Sequence, residues 1–280
     1  MTDTGPRIYP PQGHLIRHLR MELHLRSEDE MHTLMPVSDD LRDDGGALRF
    51  GAMAATIDVA AGTFSHEMVR PDWLATTDMK VHLQRPTRAD RVEMVTTTVR
   101  AGGRNIVSQT LVSDDEGEVA RSWVTYARLP RRDDSPAIES GSRVGRRLHY
   151  VEDEETEREP LDDYLRIRLH PSRLALDLDH HHRIHNSFGS LQGGAAAVLI
   201  ERVAMLAVER QLGLPGRVTD LHLYYLGQTR EGPFRVEGTV LRRDEGSITT
   251  EVAIYDAGNG DRILDLGTAT AVPIRGEPGK

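Results

Sequence analysis

The chain has 280 residues, and 35 Lys+Arg stand against 44 Asp+Glu for a formal net charge of −9. That balance supplies no pooled positive field to meet phosphate, so a nucleic-acid partner is excluded. There is no cysteine, which removes disulfides, thiolate metal sites and cysteine nucleophiles and suits a reducing, cytoplasmic setting. Residues 1–13, MTDTGPRIYPPQG, contain no apolar stretch of the kind a secretory signal needs. The longest apolar runs, such as 195–200, fall far short of the ~20 residues of a membrane helix. A soluble globular chain of one large or two ordinary domains is expected.

In chain order, MELHLR at 21–26 alternates and reads as a strand. LRFGAMAATIDVAAG, starting at Leu48, opens a helix expected over about 51–69. Apolar residues cover nearly its whole circumference, which marks a buried helix. Strand-like runs follow at 77–83, 92–99, 106–112 and 119–127. A stretch containing RRDDSP, SGSRVGRR and EDEETEREP is rich in charge and small polar residues and reads as a solvated linker. The pattern then restarts. YLRIRL at 164–169 resembles MELHLR, LQGGAAAVLIERVAM opens a second buried helix over about 194–212, and TDLHLYY resembles TDMKVHL. Further strands are expected at 234–241, 247–255 and 263–272. Arg49 pairs with Gln192, Gly51 with Gly194 and Asp58 with Glu201, all at one constant separation. The chain is a tandem duplication: a first repeat at 1–130, a charged linker at 131–160 and a second repeat at 161–280. Each repeat is α+β, a long helix wrapped by an antiparallel sheet.

Two carboxylates stand out. Asp58 is the only charged residue between Arg49 and His66, and Glu201 sits between apolar runs with Arg202 beside it. Burying a carboxylate costs several kcal/mol unless something compensates, so each acid either packs against an arginine or does chemistry. A second feature is the loop NSFGSLQGG from Asn186 to Gly194. Glycines opening a helix let a ligand approach backbone N–H groups that no side chain shields. The helix N-terminus adds unpaired donors and partial positive charge, a combination suited to an oxyanion. A plain turn that starts a helix is the alternative reading of the two glycines alone.

These residues resemble the hotdog-fold acyl-CoA thioesterases, in particular the phenylacetyl-CoA thioesterase-like branch. That family's pattern is Asn-x5-His-Gly-Gly-x6-Asp, with Ser/Thr-x-Asp on a strand further on. The second repeat reads Asn186, Gln192-Gly193-Gly194 and Glu201; the first reads Asp43, Arg49-Phe50-Gly51, Asp58, and Thr76 followed by Asp78. The resemblance spans both repeats and implies a double hotdog. Both repeats lack the family histidine, replaced by Arg49 and Gln192. In the family the loop of one hotdog faces the carboxylate of the other, which implies two unlike sites. One joins Asn186, Gln192, Gly193 and Gly194 to Asp58 and Thr76. The other joins Asp43, Arg49 and Phe50 to Glu201 and Val218, and is expected to be degenerate. The resemblance further implies thioester hydrolysis with Asp58 as general base or nucleophile. The N–H of Gly193 or Gly194 would stabilise the oxyanion, Asn186 would hold water or the substrate carbonyl, and Thr76 would orient water or carboxylate. It implies no metal and no cofactor, coenzyme A being part of the substrate. Oligomers of double hotdogs are compatible with it.

Other signals carry less. Arg100 and Arg104 flank Ala101-Gly102-Gly103 in a strand turn, where they either touch coenzyme A phosphates or are simply solvated. Among His180, His181, His182 and His185, alternation would put His180 and His182 on one strand face, but no third ligand has zinc spacing. His185 with Glu201 loosely resembles the hotdog dehydratases, without their His-Phe-Pro sequence. A non-catalytic acyl-CoA-binding module is the other competing reading, because both repeats lack the histidine. No Gly-x-Ser-x-Gly elbow, Walker loop, His-Glu-x-x-His or Gly-x-Gly-x-x-Gly occurs.

Overall fold

The structure, a computed structural model, describes residues 9–133, 135, 144–151 and 158–275. The segment 1–8 and parts of the three charged stretches within 131–160 lie outside the described residues. The first repeat contains α1 (Leu15–His18), β1 (Glu22–Leu25), β2 (Glu30–Pro36), α2 (Phe50–Val69), β3 (Trp73–Leu83), β4 (Arg91–Ala101), β5 (Asn105–Asp114) and β6 (Gly117–Leu129). The connection carries β7 (Arg147–His149). The second repeat contains α3 (Leu161–Tyr164), β8 (Arg168–Leu169), β9 (Ala175–Leu178), α4 (Gly193–Leu212), β10 (Gly216–Tyr225), β11 (Phe234–Arg243), β12 (Ile248–Asp256) and β13 (Arg262–Pro273). This is the α+β double hotdog that the resemblance implies.

The thirteen strands among the described residues form one antiparallel sheet in the order β7-β1-β2-β4-β5-β6-β3-β10-β13-β12-β11-β9-β8. The repeats join where β3 meets β10, with Leu221 opposite Val81 and Leu223 opposite Met79. The two long helices pack against each other and against the sheet. They can do so because both are rich in alanine and aliphatic residues, nearly all buried. A wholly buried helix needs an apolar surface on every side. The strands alternate, and their inward residues (Met79 and Val81 on β3, Leu221 and Leu223 on β10) close the core. Both inner strands carry a β-bulge at equivalent places, between Thr76 and Asp78 and between Val218 and Asp220. Among the described residues no helix is long and apolar enough to cross a membrane.

The structure departs from the sequence reading in three places. The run 164–169 is not one strand: Leu161–Tyr164 is a helical turn, and only Arg168–Leu169 is extended. The repeat therefore aligns Leu15–Leu23 with Leu161–Leu169, so that Arg20 (φ 53°) matches Arg166 (φ 58°), each in the left-handed turn that ends its short helix. The equivalent His18 and Tyr164 stack, ring centres 3.8 Å apart. Six alternating residues fit a strand and a short helix ending in a turn equally well, and only packing separates them. Second, part of the 131–160 segment is sheet, because β7 pairs with β1 and packs Leu148 against the core. A three-residue strand among charges leaves no periodic signal. Third, β9 stops at Leu178, so His180 lies beyond it and His182–Ile184 form a 3-10 turn rather than a strand end.

Candidate active site

α4 begins at Gly193, and Gln192 is its N-cap. The Gln192 side chain works in two directions. Its Oε1 accepts from the N–H of Ala195 at 2.8 Å, closing the helix end, and its Nε2 donates to Asp58 Oδ2 at 3.0 Å. Asp58 comes from α2 of the other repeat. Its second oxygen, Oδ1, accepts from the Thr76 hydroxyl at 3.3 Å, and the backbone N–H of Gly194 also donates to the carboxylate. The structure thus brings together Asp58, Thr76, Gln192, Gly193 and Gly194, as the pairing of unlike halves requires.

The glycines are sterically necessary here. A Cβ on Gly193 would lie 2.9–3.1 Å from the Asp58 carboxylate, and one on Gly194 would lie 2.6 Å from the Cα of Ala55. Asp58 is only 8% exposed. Burial pushes its pKa up to about 6, while the Thr76 hydroxyl and the Gly194 N–H pull the other way. A carboxylate with that pKa is a base near neutral pH, held against the partly positive start of a helix.

Asn186 also holds its own loop together. Its Oδ1 accepts from the N–H groups of Phe188 (2.9 Å) and Ser190 (3.0 Å), so it shapes the loop and leaves only its NH2 for water or substrate. Asp43 does the same in the equivalent loop, accepting from Gly45 (2.9 Å) and Ala47 (3.1 Å). Sequence reasoning missed two tyrosines. Tyr225 donates to the carbonyl of Gly193 at 3.0 Å, and Tyr126 donates to the carbonyl of Asp58 at 3.4 Å. Both are inward strand residues, and nothing in their spacing separates them from ordinary core aromatics.

At the opposite site the acid is neutralised. Arg49 donates to Glu201 Oε2 at 2.7 Å and to Asp162 Oδ1 at 2.5 Å, and Arg202 holds the other Asp162 oxygen at 2.7 Å. Burial alone lowers the Arg49 pKa, but Glu201 and Asp162 outweigh it and raise it. Arg49 and Glu201 are 6% and 1% exposed, so the guanidinium fills the space beside the acid. Phe50, buried, stands where the other site has Gly193. Val218 replaces the hydroxyl of Thr76. Asp43 is itself held by Arg217 at 2.6 and 3.0 Å.

The dehydratase pairing is not formed. Glu201 is engaged by Arg49, while the His185 ring packs against His180, centres 4.2 Å apart. Burial lowers the His185 pKa to about 4, helped by the neighbouring histidines. No group of three or more His, Cys, Asp or Glu suited to a metal is found among the described residues. Arg100 and Arg104 are exposed at the β4–β5 turn and reach no acid among the described residues. That turn is at the same sheet end as Thr76, because Thr76 faces Tyr126 and Tyr126 faces Ile106.

Residues 188–263 match the family model described as the thioesterase superfamily. No curated protein matches the chain. Solved structures with the same fold include a tesB protein from Mycobacterium avium subs paratuberculosis, 8% identical with TM-score 0.64, covering 90% of this chain and 96% of that one. An acyl-ACP thioesterase from Bacteroides thetaiotaomicron is 14% identical with TM-score 0.59, over 88% and 99% of the two chains. A 12:0-ACP thioesterase from Umbellularia californica is 11% identical with TM-score 0.60, over 88% and 94%. At these identities the likeness is one of fold.

Proposed function

We propose that this chain, which has the double-hotdog fold and matches the thioesterase superfamily over 188–263, hydrolyses an acyl-CoA thioester at one asymmetric site between its repeats. One observation carries the reading: the buried Asp58 of one repeat is held by Gln192 at the start of the other repeat's helix, at 3.0 Å. The thioester carbonyl oxygen points at that helix start, where the Gly193 N–H stabilises the negative charge that develops on it. Asp58 removes a proton from the attacking water, or attacks the carbonyl carbon itself to give an anhydride that water then opens. In either route the C–S bond breaks, and coenzyme A leaves as the thiol with the acid as the other product. Thr76 and Gln192 fix the carboxylate, and Gln192 occupies the place of the family histidine without supplying a titrating group. Coenzyme A enters only as part of the substrate, and the cysteine-free chain suits cytoplasmic lipid metabolism.

The test is thiol release from short, medium, long and aromatic acyl-CoAs, with acyl-carrier-protein thioesters alongside, by wild type and Asp58→Asn. Hydrolysis of an acyl-CoA that Asp58→Asn abolishes supports the reading. Hydrolysis of carrier-protein thioesters alone moves the substrate class. No hydrolysis of any thioester, with acyl-CoA binding retained in calorimetry, replaces the enzyme by a binding module.

A further inference from the structure

The inner face of the sheet carries a row of polar residues that continues past the Asp58 site. Tyr126 on β6 faces Thr76 on β3. On the adjoining β10, Tyr225 lies one step beyond the Tyr224–Asp78 pair, and across from it on β13 stands Asp265. Asp265 in turn faces Ile254 on β12. The row looks inward: the next residue of β13 on the same face, Gly267, abuts α4, where a Cβ would lie 3.1 Å from Ile200 Cδ1. Three members touch the site through hydroxyls. Thr76 reaches the Asp58 carboxylate, Tyr126 the Asp58 carbonyl and Tyr225 the Gly193 carbonyl. Asp265 is the exception. Its side chain has no hydrogen bond or ion pair among the described residues, although it is only 4% exposed.

The equivalent row at the filled site is Ala271, Val218, Leu83, Ala120 and Val112, apolar throughout. The fold therefore accepts an apolar residue at this point: Ala120 stands where the other half has Asp265. A buried carboxyl without a partner costs free energy that an alanine does not. What distinguishes the two rows is which site they border, and the polar one borders Asp58.

We propose that Asp265 is a specificity-determining residue of the Asp58 site, hydrogen-bonding a hydroxyl or keto oxygen on the acyl chain, so that hydroxy- or oxo-acyl thioesters are the preferred substrates. The proposal rests on the thioesterase reading above. Asp265 is two strand spacings from Thr76, ~10 Å, which places the recognised oxygen several bonds beyond the thioester carbonyl. Burial raises the Asp265 pKa well above the ordinary carboxylate value. In its protonated form the acid can accept from a hydroxyl and donate to a ketone. Sites built to bond a substrate hydroxyl discriminate strongly against the analogue lacking it, because the site's own polar group is then left unpaired.

The test compares kcat/KM for hydroxyacyl-CoA, oxoacyl-CoA and unsubstituted acyl-CoA of equal chain length, in wild type, Asp265→Leu and Asp265→Asn. Wild type is expected to favour a polar chain by at least tenfold. Asp265→Leu should bring that ratio close to one, and Asp265→Asn should keep part of it. Asp265→Ala serves if Asp265→Leu does not fold. No preference in wild type, or a preference that survives in the apolar variant, overturns the inference while leaving the thioesterase reading intact. If wild type cleaves no thioester, that reading has failed. Calorimetry with the free hydroxy and unsubstituted acids then decides the inference by the same ratio.

Discussion

The two loop–helix–strand sites were built by one duplication and now do opposite things with a buried acid. At one, Asp58 faces a neutral amide, a hydroxyl and a helix N–H, so its charge is held but not cancelled. At the other, Glu201 faces the guanidinium of Arg49, which Asp162 also binds. Hydrogen-bond donors without charge leave a carboxylate available as a base, whereas a buried cation commits it to an ion pair. Size follows the same division. Gly193 sets no side chain against the Asp58 carboxylate, and Phe50 occupies the matching place opposite. One framework can thus hold one buried acid by neutral donors and close the other into an ion pair, and a few side chains at the helix start decide which.

The largest expected difference is between the two acids. Asp58→Asn should lower thioester hydrolysis by about 10²–10⁴-fold, while Glu201→Gln leaves it near wild type; the reverse pattern in a thiol-release assay would exchange the two sites. Gly193→Ala is expected next, at about 100-fold, because its methyl meets the Asp58 carboxylate and pushes it out of the geometry it holds. Substrate binding measured alongside separates that from loss of fold. Arg49→Met should spare the rate but lower stability by about 3–5 kcal/mol, since it strands Glu201 in the core, and Arg49→Met with Glu201→Leu should recover most of the loss. Chemical denaturation reads both.

The pH dependence sharpens the same contrast. The Asp58 pKa rises from 3.8 to about 6 on folding, so kcat/KM should climb through pH about 6 and vanish in Asp58→Asn. For stability the sign is the opposite. An acid whose folded pKa is raised binds its proton more tightly when folded, so stability falls as pH rises from about 4 to about 6, by about 3 kcal/mol at most. Asp58→Asn should flatten that slope, and an unchanged slope would remove Asp58 as its source. The smallest effect is expected from Arg100→Ala and Arg104→Ala. An exposed charge contact with a coenzyme A phosphate is worth about 0.2–1 kcal/mol, so KM should rise up to about fivefold for acyl-CoA and not for the pantetheine thioester.

Much of the candidate site's geometry was legible because the residues that meet there are anomalies in their local pattern. Asp58 interrupts an apolar helix, and Gly193-Gly194 opens one; neither suits a core for packing reasons alone. The dual role of Gln192 was not legible, since a glutamine before a helix carries no sign of which acid lies across from it. Tyr225 and Asp265 were hidden for a related reason. Each sits in an alternating strand that reads as core, and their inward face acquires meaning only once β10 and β13 are laid beside α4. The shift between MELHLR and YLRIRL has a local cause, the left-handed turns at Arg20 and Arg166. Alternation alone does not register such a turn.

By itself the sequence determined the duplication, the two buried helices, the strand runs around them and the two odd acids, because each is a matter of spacing and polarity along the chain. Tertiary structure decided which loop faces which acid, that Arg49 reaches Glu201 and Asp162 together, and that the two repeats share one sheet through β3 and β10. Those are contacts between residues more than a hundred positions apart. Their free energy depends on distance and burial, quantities that exist only after the chain has closed on itself.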